Sequence, residues 1–237
     1  TYKVTAVAIV NGATKDVLHR EYTALDKSSY LFNHQNLATT LGISQELAAD
    51  NSWFVTYDLI DFMADDIPDV IDFEYELPYD TTSIHMTDRL ALQFRTKKPN
   101  NVPALQESIL NYLNTRESIL KPYAQFRTNL EREAKFHHDQ LEKLDSLTSV
   151  FYFSNNQEAQ LSLHNTKNGV VLGGREIKLF LDDIQDEMDI LKKTDNRLAY
   201  ASAPVVLQTP FVVEPNAING PIKCTAIALV IGWLFSI

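Results

Sequence analysis

The apolar positions change period several times along the chain, and each change predicts an element. Tyr2 to Val10 is rich in β-branched residues and alternates at its start, and Asn11-Gly12 follows as a turn signal, so this stretch reads as a strand. Lys15 to Tyr22 reads as a second strand or a loop. Ser28 or Ser29 is placed to cap a helix running to about Leu41, with Leu31, Phe32, Leu37 and Leu41 on one side and Gly42 to end it. Ser44 can cap a short helix over Gln45 to Ala49, and Trp53 to Ile60 suits either a strand or a helix. Thr87 to Lys97 is the clearest strand, alternating Leu90, Leu92 and Phe94 against Arg89, Gln93 and Arg95.

Beyond the break at Lys98-Pro99-Asn100-Asn101-Val102-Pro103 the period becomes helical and stays so to about Phe153, through Leu105, Ile109, Tyr112, Ile119, Tyr123 and Leu130. Roughly 50 residues at about 1.5 Å each predict a helix on the order of 75 Å long. Pro122 should kink it or split it in two. Arg175 to Ala201 repeats the period and reads as the antiparallel partner, with the polar stretch 154–174 as the distal tip between them. Ala203 to Val213 reads as a strand bounded and interrupted by prolines. Pro215 and Pro221 then lead into residues 222–237, which carry no charge after Lys223. A span needs about 20 apolar residues, so this run predicts the start of a membrane helix.

The expected fold is therefore α+β. A membrane-proximal mixed α/β base is formed by residues 1–101 and completed by 202–221, a long extended helical hairpin occupies 102–201, and a C-terminal transmembrane helix begins at 222–237. Thr1 and the apolar end both read as internal points of a longer chain.

Composition narrows the function. With 237 residues, 45% of them hydrophobic, the chain can bury a real core. A net charge of -10 argues against a nucleic-acid partner, because phosphate binding is carried by clustered Lys and Arg. The single cysteine, Cys224, rules out an internal disulfide and a thiolate zinc site.

The one dense run of chemistry is acidic: Asp58, Asp61, Asp65, Asp66, Asp69, Asp72, Glu74 and Glu76, interleaved with apolar residues. The calcium-loop spacing is absent. The pattern predicts an amphipathic helix and strand with a solvated acidic face, and Asp65 and Asp66 are the pair a carboxylate enzyme would use. The histidines His19, His34, His85, His137, His138 and His164 form no HExxH arrangement, and His137 and His138 face different sides of a helix. There is no G-x-S-x-G elbow, P-loop or G-x-G-x-x-G. The residues thus nominate no catalytic, cofactor-binding or metal site, and the expectation is a protein that is not an enzyme and needs no cofactor.

The opening strand Tyr2 to Val10, the long helix after Asn100-Asn101-Val102-Pro103 and the proline-rich approach Pro204, Pro210, Pro215, Pro221 together resemble the chain-length determinant, or polysaccharide co-polymerase, family. The resemblance implies a non-enzymatic regulator of O-antigen, capsule or exopolysaccharide length. It would be a homo-oligomeric scaffold in the bacterial inner membrane beside the polymerase and the growing glycan, with residues 1–221 in the periplasm. It also implies glycan contact at the tip, Asn155 to Gly169, or along the long helix's polar face. The reading from another class is a membrane-anchored sensor or adaptor ectodomain with a coiled-coil hairpin.

Overall fold

The computed structural model describes residues 1–29, 34–79, 81–153 and 173–218. In order they form β1 (Tyr2–Val10), α1 (Lys15–Ser29), α2 (His34–Leu41), α3 (Gln45–Ala49), β2 (Asn51–Asp61), β3 (Val70–Asp72) and β4 (Ile84–His85). There follow β5 (Arg89–Thr96), α4 (Val102–Thr115), α5 (Glu117–Phe153), α6 (Gly173–Tyr200) and β6 (Val205–Val213). The strands make one sheet in the order β3-β2-β5-β1-β6, with β4 also pairing β2, and every pairing is antiparallel. Edge position explains how β6 tolerates Pro210, which has no N–H to give a ladder. Where the β1–β6 register slips, the Thr209 hydroxyl accepts the Val7 N–H at 2.9 Å instead.

Among the described residues two compact units result: one from residues up to 125 together with 203–218, the other from those between 126 and 202. The core of the first lies on one face of the sheet. Val4, Ala6, Ala8 and Val10 of β1, Leu90, Leu92 and Phe94 of β5, and Phe54 of β2 are buried there with Leu18, Tyr22 and Leu25 of α1. Phe54 stacks on Phe94 at 5.6 Å between centroids, Tyr22 meets Phe54 edge-on at 5.7 Å, and Phe211 of β6 meets Phe94 at 5.1 Å. A smaller cluster, Tyr57, Leu59, Met86 and Ala91, closes the other face. In the second unit α5 and α6 lie against each other: His137 Nδ1 is 2.5 Å from Glu187 Oε2, and the Thr194 hydroxyl donates to Glu133 at 3.3 Å.

The Tyr22 hydroxyl is buried without a hydrogen-bond partner, which raises its pKa well above the usual tyrosine value through desolvation. Tyr22→Phe removes that unpaired group and keeps the ring, so it should raise the free energy of unfolding by about 1 kcal/mol in urea titrations. A loss of stability would mean that the hydroxyl is bonded in solution.

Several expectations are corrected. Lys15 to Tyr22 is the first half of a helix: Leu18, Tyr22 and Leu25 recur at helical spacing, a pattern that shows only when the window runs past Tyr22. Residues 28 and 29 therefore end α1 rather than capping its successor. The Ser44 cap is present, its Oγ accepting the Leu47 N–H at 3.2 Å, and Gly42 takes the left-handed φ of 65° expected beyond a helix end.

The fold class itself is overturned. Residues 102–201 do not form one extended hairpin standing on a mixed α/β base. The sheet is antiparallel, and α4 belongs to the first unit, burying Val102, Leu105, Ile109 and Leu113 in its core. The long helix breaks at Arg116, whose ψ of 126° is extended, and not at Pro122, which lies inside α5. Side-chain ties hold this corner: Arg116 Nε is 3.4 Å from Glu21, and the Ser118 hydroxyl donates to Glu21 at 2.7 Å. Apolar spacing continues across the break, so periodicity does not reveal it. Among the described residues no helix is long and apolar enough to cross a membrane; the run 222–237, where the transmembrane helix is expected, lies outside the described residues, as does the tip over 154–172.

Candidate functional site

The residues with the densest chemistry sit where the start of α1 meets β2 and the excursion between β2 and β5. Lys15 opens α1, its N–H bound to the Thr87 carbonyl at 3.1 Å. From there its ammonium reaches Asp58 Oδ2 on β2 at 2.8 Å. His85 Nδ1, on β4, approaches the same oxygen at 2.9 Å, and the Tyr79 hydroxyl donates to it at 2.5 Å. An ionised carboxylate only accepts, so the imidazole hydrogen lies on Nδ1. Nε2 is buried and has no hydrogen-bond partner. Burial pushes the Asp58 pKa up, but the hydrogen bonds from Lys15, Tyr79 and His85 and the Lys15 charge outweigh it, leaving the carboxyl below its ordinary value. The same bond to Asp58, with burial and neighbouring carboxylates, pushes the Tyr79 phenol up to about 12.

The Asp58 cluster acts as a clamp. A carboxylate ionised well below neutral pH and occupied by three donors is a poor general base, and no hydroxyl or thiol hydrogen-bonds the His85 Nε2 that a nucleophile would need. What it does position is Tyr79. The ring stacks on His85 at 3.5 Å between centroids and 11° between planes, its hydroxyl is tied to Asp58, and the residue is still 75% exposed. Tyr75 is held in a similar way, its hydroxyl bound to the Thr56 carbonyl at 2.5 Å and its ring 5.5 Å from that of Tyr57, which also meets Phe73 at 5.0 Å.

The acidic run is not the solvated face of a helix and strand. Asp side chains are short enough to bond nearby backbone N–H groups, and that competes with helix formation. Asp61, itself buried, accepts from the N–H groups of Met63, Asp65 and Asp66 at 3.0, 3.4 and 2.8 Å. Burial would raise its pKa, but these donors, with that of Ala64, hold it below the ordinary value. Asp65 accepts from Ile67 N, Asp69 from Phe62 N, and Asp72 from Glu76 N and Leu77 N. Asp65 and Asp66, the pair considered for catalysis, are thus one turn former and one exposed partner of the buried Arg89 at 3.4 Å. The signal that could have identified these turns is the spacing of Asp61, Asp65 and Asp69 around Pro68, which suits loops better than a helix.

The histidines are dispersed. His19 meets the Thr56 hydroxyl at 2.5 Å, His137 pairs with Glu187, and His164 lies outside the described residues. Among the described residues, the groups close enough to share a metal are His138, Asp139 and Glu142, all exposed on α5, where helical spacing alone brings them together. The glycan-contact positions expected at Asn155 to Gly169 also fall outside the described residues. No protein-family model matches the chain, and no curated protein is significantly similar to it.

Proposed function

We propose that this protein is a non-enzymatic regulator of polysaccharide chain length, a homo-oligomeric scaffold acting at the bacterial inner membrane beside the polymerase and the growing glycan. In this reading residues 1–221 lie on the periplasmic side. The observation that carries it is the pairing of the first and last strands. β1 and β6 lie side by side with Val4 opposite Val213, Glu214 N–H bonds to the Lys3 carbonyl at 2.9 Å, and Ile218 N–H bonds to the Thr1 carbonyl at 2.8 Å. Thr1 and Ile218 therefore stand side by side. Such a layout suits a domain presented from a membrane surface by two neighbouring attachments.

The test is genetic. Deleting the gene and separating the surface polysaccharide on a gel should replace a modal band cluster with a broad distribution of chain lengths, and the cloned gene should restore the mode. An unchanged ladder would sink the proposal and favour a sensor or adaptor role.

A further inference from the structure

The excursion between β2 and β5 in the first unit carries several exposed aromatic and apolar side chains. Phe62, Met63, Ile67, Phe73, Tyr75 and Tyr79 are all 46% exposed or more, and all lie in the excursion between β2 and β5. Exposed apolar groups gathered in one segment mark a contact site more often than chance. Two features say what kind of contact. The rings are fixed before any partner arrives: Tyr79 by its bond to Asp58 and its stack on His85, Tyr75 by its bond to the Thr56 carbonyl. Hydroxyls used inwards leave ring surface outwards, at little entropic cost on binding. Carboxylates also alternate with the rings, as in Phe73-Glu74-Tyr75-Glu76, with both glutamates exposed.

That alternation separates the possible occupants. The cores of protein–protein interfaces are depleted in charge, so exposed rings interleaved with exposed carboxylates, as from Phe73 to Glu76, are poorly suited to a second copy or a protein partner. Acidic surroundings on a chain of net charge -10 repel phosphate, nucleic acid and anionic polymers. A saccharide without anionic groups matches both halves of the pattern. The C–H face of a pyranose stacks on a tyrosine ring, and its hydroxyls or an ammonium group donate to the flanking carboxylates.

We propose that the exposed rings over residues 62–79 form a saccharide-contact surface, with Tyr79 as its stacking platform and a neutral or amino-sugar glycan as its ligand. This rests on the chain-length reading and moves the expected glycan contact from the tip to the sheet unit.

The experiment is saturation-transfer NMR on the full chain with chitotetraose as the neutral probe and tetragalacturonate as the anionic control. Transfer to the ring protons of chitotetraose is expected, and little to the control. Losing one stacked ring should weaken binding about tenfold, so Y79A should show that loss. Y79F keeps the ring and drops the hydroxyl tie that fixes it, and should lose binding by less than Y79A does. Tyr79 is exposed enough for both variants to fold, which circular dichroism checks. No transfer to chitotetraose, preferential transfer to tetragalacturonate, or equal binding by Y79A and the parent overturns the proposal. So does a Y79A variant that changes the protein's oligomeric mass and not its saccharide binding. The gene-deletion ladder keeps the two readings apart: a deletion that alters the ladder, with parent protein that binds no saccharide, removes the contact surface and leaves the chain-length role standing.

Discussion

Phe94→Ala will lower the free energy of unfolding by about 3–5 kcal/mol, the largest loss expected from any single substitution in the sheet unit. Phe94 is fully buried on the central strand β5, stacked on Phe54 and met edge-on by Phe211, so its removal empties the junction of β2, β5 and β6 at once. Domains of this size have about 5–15 kcal/mol to lose. The variant should therefore unfold at a markedly lower urea concentration with little change in slope, provided the native state stays compact. Phe94→Leu fills more of the space and should cost less than the alanine. A cost below about 1 kcal/mol for the alanine, smaller than even a single Ile→Val truncation often shows, would mean that this core is not packed as described.

Asp58→Ala comes next, at about 1–3 kcal/mol, because it leaves the mostly buried Lys15 ammonium and His85 imidazole without their shared acceptor. The effect carries a pH signature. The folded-state pKa of Asp58 is depressed, so its contribution is present above the ordinary carboxylate value and is lost as the pH falls through the depressed folded value. Tyr79 works in the other direction. Its folded pKa is raised to about 12, so its contribution is present below the ordinary tyrosine value near 10 and is lost as the pH climbs towards 12. The parent protein should show acid and alkaline shoulders that Asp58→Ala flattens together. Stability curves of the variant and parent that run parallel at all pH values would show that the clamp does not couple these groups.

Local pattern carried a good part of the secondary structure. β1 matches its alternation from Tyr2 to Val10, α3 begins at the Ser44 cap, and β5 follows Leu90, Leu92 and Phe94. Each depends on forces acting within a few residues: alternation, a side-chain cap, a single-face period. Local pattern misleads where two signals overlap. Lys15 to Tyr22 is too short a window to show a helix, and the interleaved Asp and apolar residues of 58–76 imitate amphipathic periodicity while the carboxylates bind backbone N–H groups in turns. The break at Arg116 is invisible for a different reason. The apolar period runs on both sides of it, and the bend is held by Glu21, far away in the chain, through Arg116 and Ser118.

The candidate site divides in the same way. Composition and missing motifs alone excluded phosphate-binding loops, thiolate metal sites and the familiar nucleophile elbows, because those chemistries need specific residues at specific spacings. The acidic run from Asp58 to Glu76 was legible in the amino-acid sequence, but Tyr79, which the clamp holds, lies beyond it. Nothing in the amino-acid sequence showed that Asp58 would gather Lys15, Tyr79 and His85, which stand 43, 21 and 27 residues away. Only folding joins them: α1 starts against the Thr87 carbonyl and brings Lys15 to β2, while β4 pairs with the end of β2 and delivers His85. Contact between side chains so far apart depends on sheet order and strand register, which are settled by burial of the whole core and not by any one stretch of the chain.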